Sequence, residues 1–348
     1  FTINAMALKL PNFELVDIYN GLSDLNSKTL KTPLDPEISF SEDPLRMLRA
    51  ARFIAKLELV PEEKLVEVMK KLSDRINIVS MERINDEFNK LLLTSKPRVG
   101  IELLVETDLA KNFLPELPAL KLEIDEHHHH KDVYQHSLTV LDQVIDLEKN
   151  HEPTFEPDLV LRLSALLHDI GKPKTRKFEG EGRVSFHHHE VVGARLAKKR
   201  LEKLRYSNEI IENVVLLIEL HLRFHGYGEG KWTDSAVRRY VRDANDQLVR
   251  LHKLTRADCT TRNANKAEKL RKAYDDLEVR IVELSKEEEL KSMRPELDGQ
   301  EIMKILNIKP GPVVGKAYQF LLDLRLDQGI LGPEKAKEEL IKWWAQNK

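Results

Sequence analysis

Apolar positions alternate near the start of the chain and recur at helical spacing almost everywhere after residue 36. Phe13-Glu14-Leu15-Val16-Asp17-Ile18 reads as a short strand. Tyr19-Asn20-Gly21 turns the chain, and Ser23 is placed to cap a short helix over 24–30. Farther on, Leu45, Leu48, Ala51 and Phe53 fit one buried helix face, Ile84, Phe88, Leu91 and Leu92 a second, and Ile101, Leu104 and Val105 a third. Leu114-Pro115-Glu116-Leu117-Pro118 interrupts this array and predicts a boundary near residue 120. From 127 to about 262 the pattern is again helical, apart from a polar, glycine-bearing excursion at 177–185 that predicts a small hairpin. The last stretch carries charged runs at 266–272 and 286–289, the mark of a solvated helical surface. The expectation is a mainly α, multi-helical protein with a small α/β element at its N-terminus, divided at 1–35, 36–120, 121–262 and 263–348.

Composition narrows the function classes. The chain has 348 residues, 41% hydrophobic, and a formal net charge of −2. It is long enough to bury a core, and no global positive field attracts nucleic acid, so any RNA contact must be local. Cys259 is the single cysteine and can form no intrachain disulfide. No apolar run approaches the ~18 residues of a membrane span. These features predict a cytoplasmic protein with no membrane partner. The chain opens on Phe1-Thr2-Ile3-Asn4-Ala5-Met6-Ala7 without an initiator methionine, and we expect it to continue upstream.

Chemistry concentrates in the histidines, ten of the thirteen lying between 127 and 189. His136 stands near the start of the helical run Leu138, Leu141, Val144, Ile145. His168-Asp169 ends the helix containing Leu163, Leu166 and Leu167, with Gly171 placed to stop that helix and Pro173 to prevent its resumption. Adjacent His-Asp offers a borderline nitrogen and a hard carboxylate, a mixture suited to a catalytic divalent ion such as Mg²⁺, Mn²⁺, Ni²⁺, Zn²⁺ or Fe rather than to a structural thiolate site. The run 127–130 reads as a solvated lead-in, since four consecutive side chains cannot face one cavity. His225, four residues after His221, leaves the register there open.

A second pattern lies in Glu42-Asp43-Pro44-Leu45-Arg46-Met47-Leu48-Arg49-Ala50-Ala51-Arg52-Phe53, read as a helix with Ser41 as its cap and acids in its first turn. Asp43, Arg46, Arg49 and Arg52 form a stripe at three-residue spacing. Three arginines without interleaved acids suit an anion such as a triphosphate, and an Asp acceptor with an Arg donor matches the edge shared by cytosine and adenine. An ordinary solvated stripe is the competing reading.

These motifs carry a family resemblance. The order His136, His168-Asp169, Asp258, with "LLHDIGK" at 166–172, resembles the HD-domain metallophosphohydrolases. The resemblance implies those four as metal ligands, His168 and Asp169 as catalytic, and, through "HHHEVVGA" and "ELHLRF", His189 and His221 as further ligands for a second metal. "FTINAMAL", "EDPLRMLRAARF" and "ERINDEFNKLLL", together with "LDGQEIMKIL", "PGPVVGKA" and Trp343-Trp344, resemble the bacterial tRNA nucleotidyltransferase and poly(A) polymerase family, the CCA-adding enzymes. The resemblance covers nearly the whole chain. It implies the end of a nucleotidyltransferase head at 1–35, a neck and body, an HD domain and a helical tail. It also implies CTP, ATP and tRNA as partners and Mg²⁺ for nucleotidyl transfer. Asp43 and Arg46 would pair with the incoming base, Glu42 would orient them, and Arg49 and Arg52 would complete the nucleotide site. The family's glycine-rich entry and metal-binding aspartates precede "FTINAMA" and are not in this sequence, so transfer is not expected from this chain alone. CCA addition and poly(A) addition go with the same motifs. A stand-alone HD phosphohydrolase with a helical RNA-binding module, and a noncatalytic RNA scaffold, are the alternatives.

Three segments are locally basic: Lys198, Lys199, Arg200 and Lys203; Arg238, Arg239 and Arg242; and Lys309 with Lys316 around Gly311. The third is the sharpest. Pro310-Gly311-Pro312 turns into a helix beginning near Val313, whose free N–H groups and Lys316 are placed to meet an RNA phosphate.

Overall fold

The computed structural model describes residues 1–122, 132–151, 156–179, 183–226, 232–259, 264–288 and 294–347. The histidine run at 127–130, the first two residues of the charged run at 266–272 and all of the run at 286–289 lie outside the described side chains, as does the side chain of His225. The described residues form two compact units, Phe1–Leu222 with Lys253–Thr260, and Arg223–His252 with Thr261–Lys348.

In the first unit, Ala7–Lys9 and Glu14–Val16 pair antiparallel, Ala7 opposite Val16. The helix that follows is Gly21–Asn26, not 24–30. Its first N–H groups are taken by Asp17, whose carboxylate accepts from Gly21 and Leu22 at 2.7 and 2.9 Å, so Ser23 is not its cap. The stripe helix likewise starts later than its acids predict. Ser41 and Glu42 end the preceding helix Pro36–Glu42, and the stripe helix spans Leu45–Leu57. Asp43 Oδ1 accepts from the Leu45 N–H at 3.2 Å, so the two helices meet at a corner that Asp43 itself secures.

Helix Leu45–Leu57 buries Leu45, Met47, Leu48, Ala51 and Ile54; Phe53 is only half-buried, with Arg52 over its ring. It packs against Met81–Leu92 and Pro97–Glu106, whose predicted apolar faces are buried. Each fully buried leucine or phenylalanine contributes about 1.5–3 kcal/mol. Helix Val133–His151 packs on Leu159–Leu167, and Leu159–Leu167 on Asn208–Leu220, beside His189–Lys203. The hairpin expected at 177–185 is formed by Lys177–Glu179 and Arg183–Ser185.

The second unit contains Asp234–Ala244, Ala264–Glu288, Gly299–Leu306, Pro312–Gln328 and Pro333–Gln346. A capping box starts Gly299–Leu306, with Asp298 accepting from the Glu301 N–H and Glu301 from the Asp298 N–H, each at 2.8 Å. Ile302, Leu321 and Leu340 form its core, with Trp343 stacked on Phe320.

Candidate functional site

Five helix termini converge on one buried cluster in the first unit. His136 comes from the first turn of Val133–His151, and His168 and Asp169 follow Leu159–Leu167. His189 opens His189–Lys203, His221 follows Asn208–Leu220, and Asp258 ends Leu248–Asp258. Their ligand atoms fall into two groups, His136–His168–Asp258 and Asp169–His189–His221, each within 4.8 Å of one another. Asp169 faces both: its Oδ2 lies 3.2 Å from His168 Nε2 and its Oδ1 3.3 Å from His189 Nε2.

The backbone sets which nitrogens face the cluster. His168, His189 and His221 each place Nδ1 on the carbonyl three residues earlier, Ala165, Phe186 and Ile218, at 2.9, 2.9 and 2.6 Å. With the N–H on Nδ1, Nε2 is left as the ligand atom. His136 Nε2 lies 2.9 Å from Asp258 Oδ1 and 3.3 Å from His168 Nε2.

Electrostatics distinguish the members. Burial works against a charged His168, yet Asp169 and Asp258 override it and raise the ring's pKa to about 10. Asp169 is buried too, and His168 and Lys172 nevertheless hold its carboxyl well below the usual range. Burial and the neighbouring His168 push His221 down to about 3, so its ring is neutral. His221 Nε2 is buried with no hydrogen-bond partner, an arrangement that costs free energy unless a cation accepts the lone pair. The donor set therefore fits one or two divalent ions.

Gly171 does not act as the helix stop that its position predicts, since its φ is −77° and the short helix Lys172–Thr175 follows directly, with Pro173 in its first turn. A Cβ on Gly171 would sit 2.1 Å from the His189 carbonyl oxygen and 2.7 Å from the Gly193 nitrogen. The glycine is needed for close approach, which brings His189 to the cluster. Lys172, buried with its Nζ 3.0 Å from Asp169 Oδ2, belongs to this site and was not singled out from the sequence.

The stripe residues also gather. Arg46 Nη1 donates to the Ser39 carbonyl, Ser39 Oγ and Glu42 Oε2 at 3.0, 3.1 and 3.0 Å. Arg83 Nη2 lies 3.6 Å from Asp43 Oδ1. Arg49 and Arg52 converge on Glu87, a residue that sequence reasoning missed; the signal was an acid beside the buried positions Ile84, Phe88 and Leu91.

The local basic segments differ in what they have left to offer. Arg200 is held by Glu116 and the Phe113 carbonyl, Arg238 donates to the Leu326 carbonyl, Arg239 to Asp327 and Arg242 to Asp243. Lys309, Gly311 and Lys316 are exposed, and neither lysine is in an ion pair among the described residues. Their helix begins at Pro312, with Gly311 giving no side-chain cap.

Residues 59–120 match the family model described as the probable RNA and SrmB-binding site of polymerase A, and 133–286 match the HD domain. An A-adding tRNA nucleotidyltransferase of Deinococcus radiodurans is 30% identical over 349 residues, 99% of this chain and 77% of that protein. The chain belongs to the tRNA nucleotidyltransferase family. Another member, the CC-adding tRNA nucleotidyltransferase of Thermus thermophilus, is 30% identical over 93% of this chain and 71% of its own length. The family fold is also that of the Bacillus stearothermophilus CCA-adding enzyme solved with CTP, at TM-score 0.63 and 16% identity over 100% of this chain and 73% of that one. A Thermotoga maritima CCA-adding enzyme solved with tRNA has TM-score 0.55 at 18% identity, covering 99% and 72%. No helix among the described residues is long and apolar enough to cross a membrane.

Proposed function

We propose that this chain supplies the nucleotide-selecting and tRNA-binding parts of an enzyme that adds CCA to tRNA 3′ ends from CTP and ATP, joined to an HD phosphohydrolase. In this reading 1–35 closes the nucleotidyltransferase head, 36–120 is neck and body, 121–262 the HD domain and 263–348 the tail, and the reaction takes place in the cytoplasm with tRNA as partner.

One observation carries the reading. Arg46 is fixed through Nη1 alone by Glu42 and Ser39, leaving Nε and Nη2 without a partner among the described residues, three positions after the carboxylate of Asp43. An acceptor and a donor so placed complement the exocyclic amino group and ring nitrogen of cytosine and adenine; guanine and uracil present the reverse order. Calorimetric titration with the four ribonucleoside triphosphates tests it. CTP and ATP are expected to bind more tightly than GTP and UTP, while equal binding of all four would remove the template. A second reading, addition of A alone or of C alone, draws support from the A-adding and CC-adding relatives; binding of only one of the two triphosphates would sustain it.

At the HD site, His136, His168, Asp169, His189, His221 and Asp258 would hold the divalent metal, which supplies the Lewis acidity that activates water toward a phosphoester. The residues set the ligand tautomers, and Lys172 neutralises charge beside Asp169. Metal-dependent hydrolysis of a phosphodiester or phosphomonoester, lost in His168→Ala, is the expected result.

A further inference from the structure

We propose that Glu87 is the positioning residue of the nucleotide site, holding Arg49 and Arg52 by their Nε atoms so that their outer nitrogens face the triphosphate together. The inference rests on the nucleotide-binding reading of residues 42–52. Glu87 Oε1 accepts from Arg49 Nε at 3.1 Å and Oε2 from Arg52 Nε at 2.8 Å. The carboxylate is 5% exposed, whereas the Arg49 and Arg52 side chains are 40% and 17% exposed.

The mode of binding matters. A carboxylate taken by the paired Nη atoms of an arginine would occupy the edge that grips phosphate. Here each guanidinium spends only Nε on Glu87, and the Nη1 and Nη2 atoms of both carry no partner among the described residues. Arg52 is further fixed over the Phe53 ring at 4.4 Å. Two arginines three positions apart repel one another. A buried acid between them offsets that repulsion and leaves the trio one positive charge.

Glu87 cannot drift with its partners, because its helix is anchored elsewhere. Asn85 Nδ2 donates to the Leu204 carbonyl at 2.8 Å, and Arg162 Nη1 donates to the Leu92 and Thr94 carbonyls at 2.8 and 2.7 Å. Both oxygens of Glu87 therefore act as a fixed fork against which the arginines are set.

The experiment titrates CTP, UTP, inorganic tripolyphosphate and tRNA into the 348-residue chain and its Glu87→Gln variant. Glutamine keeps the shape but turns an amide N–H against one Nε. Affinity for CTP and tripolyphosphate is expected to fall about tenfold, with the CTP-to-UTP ratio and tRNA affinity unchanged. A merely structural role would not single out the polyphosphate while sparing base choice. CTP and tripolyphosphate affinity within twofold of wild type in a variant of equal melting temperature overturns the proposal. So does a loss confined to tRNA, which would assign the arginines to an RNA phosphate. If Glu87→Gln melts below the assay temperature, Glu87→Asp decides, since its shortened reach must still weaken tripolyphosphate binding, and wild-type affinity there overturns the proposal. Failure of the wild-type chain to bind CTP would instead remove the nucleotide reading of 42–52 itself.

Discussion

Gly171 meets Gly193 backbone to backbone, so closely that a Cβ on Gly171 would lie 2.7 Å from the Gly193 nitrogen and 2.1 Å from the His189 carbonyl oxygen. Both obstacles are main chain and cannot swing aside. Gly171→Ala should therefore push His189–Lys203 off the His-Asp turn, at a cost of about 1–3 kcal/mol. Metal content should drop with it. Thermal melting and elemental analysis check both, and an alanine variant with wild-type melting and metal would show that the contact relaxes freely.

The two ligand groups predict stoichiometry. His221→Ala removes a ligand from one group only, and should lower bound divalent metal from two equivalents to one. Asp169→Ala removes the carboxylate that faces both groups and should lower it further. Two full equivalents in the Asp169 variant would mean that the ligands lie elsewhere.

Metal affinity should depend on pH in a stated direction. Asp169 and Asp258, against the effect of burial, raise His168 to about 10, so at neutral pH a proton competes for its Nε2. Lowering pH favours the proton. Between pH 9 and 7, affinity is expected to fall about tenfold per pH unit, with one proton released per ion bound, as titration in buffers of different ionisation enthalpy would report. A pH-independent affinity would contradict the assignment.

Arg162 joins the helix that leads to the HD residues to the end of the helix that holds Glu87. Its guanidinium is 1% exposed and donates to Glu148 Oε2 at 3.0 and 2.7 Å as well as to the Leu92 and Thr94 carbonyls. Arg162→Met would leave Glu148 buried without its partner, at about 3–5 kcal/mol. Restoration of much of that stability by Arg162→Met with Glu148→Leu in urea unfolding would identify the stranded charge as the cause.

Neutralising Lys309 and Lys316 together should weaken tRNA binding by a similar factor for all sequences and make the log–log salt dependence shallower by roughly one to two. Filter binding across a salt series measures it. An unchanged slope in the folded variant would assign the turn at Gly311 to structure alone.

Local spacing by itself determined the helices that bury Leu48, Phe88, Leu104 and Leu166, because a helical period is written in consecutive residues. It also placed His168 and Asp169 at a helix end and Asp43 beside Arg46. The helix starts were harder: Asp43 turns a corner that propensity reads as a first turn, and Asp17 rather than Ser23 takes the exposed N–H groups of Gly21–Asn26. Only the tertiary structure decided how the six ligand atoms divide into two groups, since His136 and Asp258 meet across 122 positions of sequence. It also decided that Glu87 grips Arg49 and Arg52, and that Gly171 serves a close approach rather than a helix stop. Hydrophobic periodicity specifies which face of a helix is buried. Which polar groups then share that buried space depends on how the faces pack, and no single segment contains that information.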